Sequence, residues 1–246
     1  VGASSGLGRC IGVGLSQRGA HVALLARRLE RLTEAAREAG PDALAIPCDV
    51  NDSDSCTEAI ADAIAQLGGL DVLVYATGIG PLARLVDTDP EMWGAVFATN
   101  VTGAALVTTA AVEQLTQTSG CAIYLSSVSA SLTPPWPGLG AYAVSKAALD
   151  KLVEAWRAEH PSVGFTRLVV GDCAGGVGDA QTQFAAEWDP QRTGEFVSTW
   201  LSRGYMNGSL IDVDELVNVV DTVARAGASV SLPSVTVAPR PKAEPA

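Results

Sequence analysis

Tyr142-Ala143-Val144-Ser145-Lys146 sets a phenol and an ammonium four residues apart. On a helix that spacing places both on one face, about one turn from each other. An ammonium beside a phenol favours the phenolate and is expected to lower a pKa that is about 10 in water. Tyr142 could then give a proton to a carbonyl oxygen, or take one from an alcohol, near neutral pH. A lone Tyr-x-x-x-Lys is most often a surface pair, so its weight comes from its company.

That company lies upstream. The apolar run Cys121–Ser126 ends in Ser127-Val128-Ser129-Ala130, a cluster of hydroxyls at a strand end. Asn100 stands in the middle of a long helical pattern, with Gly103 three residues on. Asn is a poor mid-helix residue because its amide competes for backbone hydrogen bonds. Such a local conflict marks a functional position; a tolerated exposed Asn is the other reading.

At the start of the chain, Gly2-Ala3-Ser4-Ser5-Gly6-Leu7-Gly8 leads into a helix. Glycines let the backbone turn tightly and bring its N–H groups close to a phosphate, where the helix N-terminus adds its positive end. The spacing is a variant of the dinucleotide fingerprint, although a purely structural glycine turn would look similar. Arg27 and Arg28 follow Ala26, where an NAD-binding fold would carry a carboxylate for the ribose 2′-hydroxyl. Arginine there can pair with a 2′-phosphate, which favours NADP(H) over NAD(H); a solvated pair at a helix start is the alternative. Asp49 closes the next apolar run and can accept from an adenine amino group or cap the following helix.

The elements that must carry these groups alternate. Strands are expected at His21–Ala26, Ala43–Cys48, Asp71–Ala76, Cys121–Ser126, Phe165–Val170 and Ser234–Ala238. Helices are expected at Leu7–Gln17, Leu29–Ala39, Ser53–Gln66, Pro90–Gln117, Ala141–Glu159 and Val213–Arg225. Strict alternation implies an α/β fold: a parallel sheet covered by helices on both faces. The strands are continuously apolar, as a sheet buried on both faces requires.

Composition sets the outer limits. The 246 residues suffice for one globular domain, expected over 1–238, and 48% hydrophobic content excludes disorder. A net charge of −11 repels phosphate backbones, so nucleic acid is not an expected partner. His21 and His160 are the two histidines, which excludes a multi-histidine metal site, and no metal is expected. No apolar run is expected to reach the roughly 18–20 residues of a membrane span. Cys10, Cys48, Cys56, Cys121 and Cys173 are scattered and suit free thiols in a reducing cytoplasm. The Pro-rich tail Pro239–Ala246 is expected to be disordered.

Taken in order, the glycine loop, Asp49, Asn100-Val101-Thr102-Gly103, the strand-end serines and Tyr142-Ala143-Val144-Ser145-Lys146 resemble the short-chain dehydrogenase/reductase family. The resemblance covers roughly residues 1–170 and points to the compact oxidoreductase branch, with a Rossmann-type doubly wound, three-layer α/β/α fold. It implies a catalytic tetrad of Asn100, Ser127, Tyr142 and Lys146. It implies cofactor contacts at Gly2, Ser4, Ser5, Gly6, Leu7, Gly8, Arg27, Arg28, Asp49, Val50, Ala76 and Gly78, together with Asn100, Tyr142 and Lys146. Ser127 would hydrogen-bond the substrate oxygen and Tyr142 deliver its proton. Lys146 would lower the tyrosine pKa and hold the nicotinamide ribose, and Asn100 would position a water. Ser129, 13 residues before Tyr142, is the alternative to Ser127, which precedes it by 15.

The pattern departs from the family in four places. Val1 replaces the usual Thr, and Tyr75-Ala76-Thr77-Gly78 replaces Asn-Asn-Ala-Gly. No Pro-Gly follows the strand Phe165–Val170, where Gly171-Asp172-Cys173 stands instead, and the serine-to-tyrosine distance is stretched. The chain opens inside its glycine loop, so roughly 5–10 apolar, β-branched residues of a central strand are expected ahead of Val1.

The function implied is NADP(H)-dependent hydride transfer between nicotinamide and a carbonyl or secondary alcohol. The substrate is expected to be a largely apolar small molecule, covered by 178–210 with Phe184, Trp188, Phe196, Trp200, Tyr205 and Met206, and by Trp136. Ordinary packing of those aromatics on the core is equally open. The alternatives are an NAD-linked alcohol dehydrogenase and a non-catalytic cofactor-binding sensor. Apolar helices over Asn100–Gln117 and Ala147–Trp156 need cover on more than one side, and in similar proteins pair into homodimers or homotetramers.

Overall fold

A computed structural model describes residues 1–176, 178–206 and 208–240. The expected disordered tail falls largely outside the described residues, since 241–246 are not among them. The strands are β1 (Ala23–Ala26), β2 (Leu44–Pro47), β3 (Val72–Tyr75), β4 (Cys121–Ser127), β5 (Gly164–Val170) and β6 (Ser234–Val237). The helices are α1 (Gly6–Gln17), α2 (Leu29–Ala39), α3 (Ser53–Leu67), α4 (Pro90–Phe97), α5 (Gly103–Thr118), α6 (Gly140–Glu159), α7 (Pro190–Ser202) and α8 (Val213–Ala224).

All strand pairings are parallel. β1 pairs with β2, and β3-β4-β5-β6 form a second ladder in that order. Val1 and Gly2 run between the two. The Val1 nitrogen donates to Val74 O (2.7 Å) and Ala76 N donates to Val1 O (3.0 Å), while Gly2 N donates to Leu25 O (2.7 Å) on the other side. One apolar cluster fills the face under α3, α5 and α6, with Ile60, Val107, Leu115 and Leu149 at its centre. The other fills the face under α1, α2 and α8, with Ile11, Leu32, Leu216 and Val220. This is the doubly wound α/β/α sandwich expected.

Two differences bear on the site. The long helix is broken: α4 passes into α5 through a π-turn at Ala98–Thr102, centred on Asn100. Gly103 permits this, because a Cβ there would lie 2.8 Å from Tyr75 Oη and 2.9 Å from Val50 Cβ. Helix α7 was not expected as an element. Its start is built by Asp189, which accepts from Arg192 N (2.7 Å), and by Pro190 in the first turn.

The expectation of no span-length apolar stretch is corrected. The helical segment Pro90–Thr118, 29 residues with mean hydropathy 1.5 in its most apolar window, meets the length and composition of a membrane helix. No Asp, Glu, Lys or Arg falls between Met92 and Val112, but interspersed Thr, Asn and Gly residues disguise the stretch as broken. In the fold, α5 packs on α3, and α4 and the π-turn pack on α6.

Candidate active site

Strand β4 ends at Ser127, and the chain returns through a short 3-10 turn (Val128–Ala130) and a Pro-rich loop to α6. That return brings Tyr142 and Lys146 back over the strand end. Lys146 is 4% exposed, donates to Leu125 O (2.7 Å), and holds its Nζ 5.7 Å from the centre of the Tyr142 ring. Ser127 and Ser129 are linked: their hydroxyls lie 2.9 Å apart, and Ser129 N donates to Ser127 Oγ (3.2 Å). Ser127 is buried at the strand end, and both serines line the cleft with Tyr142.

The electrostatics correct one expectation. Burial pushes the Tyr142 pKa up to about 12, and the Ser127 hydroxyl opposes the rise. Lys146 does not depress it. Its own pKa is lowered to about 8 by burial, with Asp150 opposing that shift. The lysine head is spent on a carbonyl rather than on the phenol, so burial dominates. Around neutral pH the pair is therefore a phenol beside a cation.

Asn100 is fully buried in the π-turn. Its Oδ1 accepts from Ile79 N (2.8 Å), and its Nδ2 donates to Ile79 O (2.9 Å) and to Ser145 Oγ (2.8 Å). Both amide hydrogens and one oxygen lone pair are thus engaged, leaving one acceptor position. Asn100 ties the segment after β3 to α6 and does not line the cleft itself. Gly78 leaves room for the lysine: a Cβ there would lie 3.3 Å from Lys146 Nζ.

From these groups a continuous cleft of about 1200 Å³ runs along the carboxyl ends of the strands to the glycine loop. Gly2, Ser4, Ser5, Gly6, Leu7, Gly8, Arg27, Arg28, Val50, Ala76 and Gly78 all line it. Asp49 does not; it borders an adjoining hollow with Arg27, and its Oδ1 accepts from Asn51 N (3.0 Å). The cap of α3 belongs instead to Asp52, which accepts from Asp54 N and Ser55 N.

The loop fits a phosphate-bearing ligand on its own geometry. Gly2 has φ +88°, and a Cβ there would lie 2.7 Å from Thr77 Oγ1 and 2.9 Å from Thr77 N. Gly6, at φ +57°, opens α1, whose first-turn amides have no partner inside the helix. Arg28 donates through Nη2 to Ser4 Oγ (3.0 Å) and Ser5 Oγ (2.9 Å), which holds a cation on the loop. Burial and the Arg31 and Arg27 charges push the Arg28 pKa down, a crowding that a bound anion relieves.

Opposite Tyr142 the wall is aromatic. Phe184 meets the Tyr142 ring edge-on at 5.1 Å, and Trp188, Trp200 and Trp136 continue the wall at ring separations of 5.6, 6.2 and 5.1 Å. Both inner indole N–H groups are used internally: Trp188 Nε1 donates to Gly80 O and Trp200 Nε1 to Pro137 O, each at 2.8 Å. Phe184, Trp188, Trp200, Met206 and Trp136 line the cleft, whereas Phe196 belongs to a small core with Leu82 and Trp200. Cleft lining and core packing therefore both apply within 178–210.

Three residues escaped the sequence reading. Thr182 crosses the glycine loop, its Cα 3.4 Å from where a Gly6 Cβ would stand. Gly80 admits Phe184, whose Cε2 would lie 2.7 Å from a Cβ there. Asp172 lines the cleft with its pKa raised by burial. The unusual Gly171-Asp172-Cys173 run was the available signal for the last; the other two depend on contacts far apart in sequence.

Residues 1–192 match the family model described as short chain dehydrogenase. A short chain dehydrogenase of Pseudocercospora fijiensis is 37% identical over 170 residues, covering 67% of this chain and 54% of the relative. The 11-beta-hydroxysteroid dehydrogenase 1A of Arabidopsis thaliana is also 37% identical, over 65% of this chain and 46% of the relative. The chain thus spans about half the length of these curated relatives. Among solved structures, a dehydrogenase/reductase from Sinorhizobium meliloti 1021 superposes with a TM-score of 0.78 at 27% identity, covering 96% of this chain and 91% of that one. An alcohol dehydrogenase from Thermococcus sibiricus, complexed with 5-hydroxy-NADP, shares the fold with a TM-score of 0.80 at 24% identity, over 96% and 93% of the two chains.

Proposed function

The chain belongs to the short-chain dehydrogenase family, and from that premise we propose that it interconverts a carbonyl compound and its secondary alcohol with NADP(H). The observation that carries this is the convergence of Ser127, Tyr142 and Lys146 in a cleft whose other end is the glycine loop. When bound, a nicotinamide cofactor supplies the hydride in reduction and accepts it in oxidation.

The chain's own groups handle the proton. A phenol with its pKa near 12 stays protonated across the neutral range and can donate to a carbonyl oxygen. The Ser127 hydroxyl fixes the same oxygen, and the Ser129 hydroxyl holds Ser127 in place. The Lys146 cation stabilises the charge left on Tyr142 once its proton has moved, and would bond ribose hydroxyls of the cofactor. Asn100 fixes the backbone of Ile79, next to the glycine that gives the lysine its room.

NADP(H) is favoured over NAD(H) by Arg28 on Ser4 and Ser5, with Arg27 lining the cleft beside it, because guanidiniums at the loop suit a ribose 2′-phosphate. The segment 178–210 would cover the substrate. An aromatic wall whose indole N–H groups are already spent suits a bulky apolar ketone or alcohol, the kind of molecule in the name of the Arabidopsis relatives.

The test is an assay of NADPH oxidation over a panel of ketones, following cofactor absorbance, with NADH in parallel. Tyr142→Phe is expected to lose about a thousandfold or more in turnover while NADPH affinity stays within about twofold. Retained turnover in that variant sinks the assignment, and tight NADPH binding with no ketone reduced would favour a cofactor-binding sensor.

A further inference from the structure

Beyond Tyr142 and Lys146, α6 carries a third group on the same line. Asp150 stands one turn after Lys146, as Tyr142 stands one turn before it. Both charged residues are buried: Lys146 is 4% exposed and Asp150 5%. Neither Asp150 carboxylate oxygen has a hydrogen-bond partner among the described residues. A buried carboxylate without hydrogen bonds is costly, and an apolar side chain would fill the position at less expense.

We propose that Asp150 is a positioning residue, which keeps Lys146 cationic from inside the protein. The inference rests on the reading that Lys146 works as a cation beside Tyr142.

The surroundings of the lysine leave this task to Asp150. On α6 it faces Tyr142 and Asp150, on β4 it bonds Leu125 O, and beside Gly78 its Nζ shares the space with the Asn100 amide. Of these, Leu125 O supplies a dipole and Asp150 a full negative charge. Burial drives the lysine toward the neutral form, and Asp150 is the influence that opposes it.

Burial raises the pKa of Asp150, and its neighbours limit that rise. Arg167 Nη1 on β5 lies 3.7 Å from Asp150 Oδ2, an ion pair that favours the ionised form, whereas Glu154, which shares Arg167 at 3.4 Å, opposes it. Arg167 is thus divided between two carboxylates, so Asp150 is only partly neutralised and its field reaches the lysine one turn away.

The chain has three lysines, Lys146, Lys151 and Lys242, so labelling the full chain with [ε-13C]lysine gives a resolved titration of each. Lys146 is expected to titrate near 8 in the native protein. In Asp150→Asn its midpoint should fall by about half a unit or more, about a threefold rise in acid dissociation constant, while Asp150→Glu restores it to within about 0.2 unit. Asp150→Ser is the second neutral variant if Asp150→Asn does not fold. An unmoved Lys146 midpoint in a folded neutral variant, judged by the Lys151 resonance and far-ultraviolet circular dichroism, overturns the proposal. The measurement needs no substrate or cofactor, so it stands apart from whether ketone reduction is found.

Discussion

Ser127 and Lys146, on a strand end and a helix, are buried at the floor of the cleft with Asn100 bracing it from behind, whereas Phe184 and Trp188 sit half-exposed across the cleft before α7. The floor is polar, and its spacings are short: Tyr142 and Lys146 are fixed by one helical turn. The roof is aromatic, and its anchors are long-range: the Trp188 bond to Gly80 spans 108 residues and the Trp200 bond to Pro137 spans 63. Proton chemistry demands fixed distances between polar atoms, and regular elements supply them. An apolar wall needs only shape, which loops can supply and vary.

The sharpest way to break that contrast is on the floor. Ser127→Ala should cost about a hundredfold in kcat, because the substrate oxygen loses a fixed donor. Ser129→Ala should cost much less, since that hydroxyl acts through Ser127. Equal losses in the two variants would erase the distinction between a group that touches substrate and one that supports it.

The second effect is a pH response confined to the floor. The native pKa of Lys146, near 8, lies below its ordinary value of 10.5, so between these pH values the unfolded chain binds more protons there. Stability from this site therefore rises as pH climbs from about 8 to 10.5, by at most about 1.4 kcal/mol per pH unit. Over the same range activity should fall, as the cation is lost. The difference in unfolding free energy between the native protein and Lys146→Met, followed against pH, checks the sign. A flat difference breaks the link.

The smallest effect belongs to the roof. Trp188→Phe keeps the ring but removes its bond to Gly80 O, and should cost about 1 kcal/mol of stability and raise KM several-fold with little change in kcat. Its pH profile should match that of the native protein. A large loss in kcat would show that the roof positions the reacting atoms after all.

The same contrast explains what the residues disclosed in advance. The glycine loop, the strand-end serines and Tyr142–Lys146 are local patterns, so their placement in one cleft could be anticipated; each expected strand formed, and each expected helix except the one over Pro90–Gln117, which the π-turn divides. Asn100 was singled out by its conflict with helix propensity, and a π-turn is the physical form of that conflict. Asp150 was hidden because a carboxylate four residues after a lysine ordinarily marks a solvated helix face; only packing against β4 and β5 buries it. Gly80, Thr182 and the spent indole N–H groups were hidden because their partners lie far along the chain.

The π-turn at Ala98–Thr102 has a bearing on how this chain can drift. Such a turn holds one residue more than a regular ladder requires, so losing a single codon there would let α4 and α5 merge into an ordinary helix. The amide of Asn100 would then swing away from Ile79 by roughly 100°. A lineage could pass this way with its fold intact and its lysine no longer fenced in. A one-residue deletion at this point would thus disturb the surroundings of the lysine while leaving the glycine loop, at the far end of the cleft, untouched.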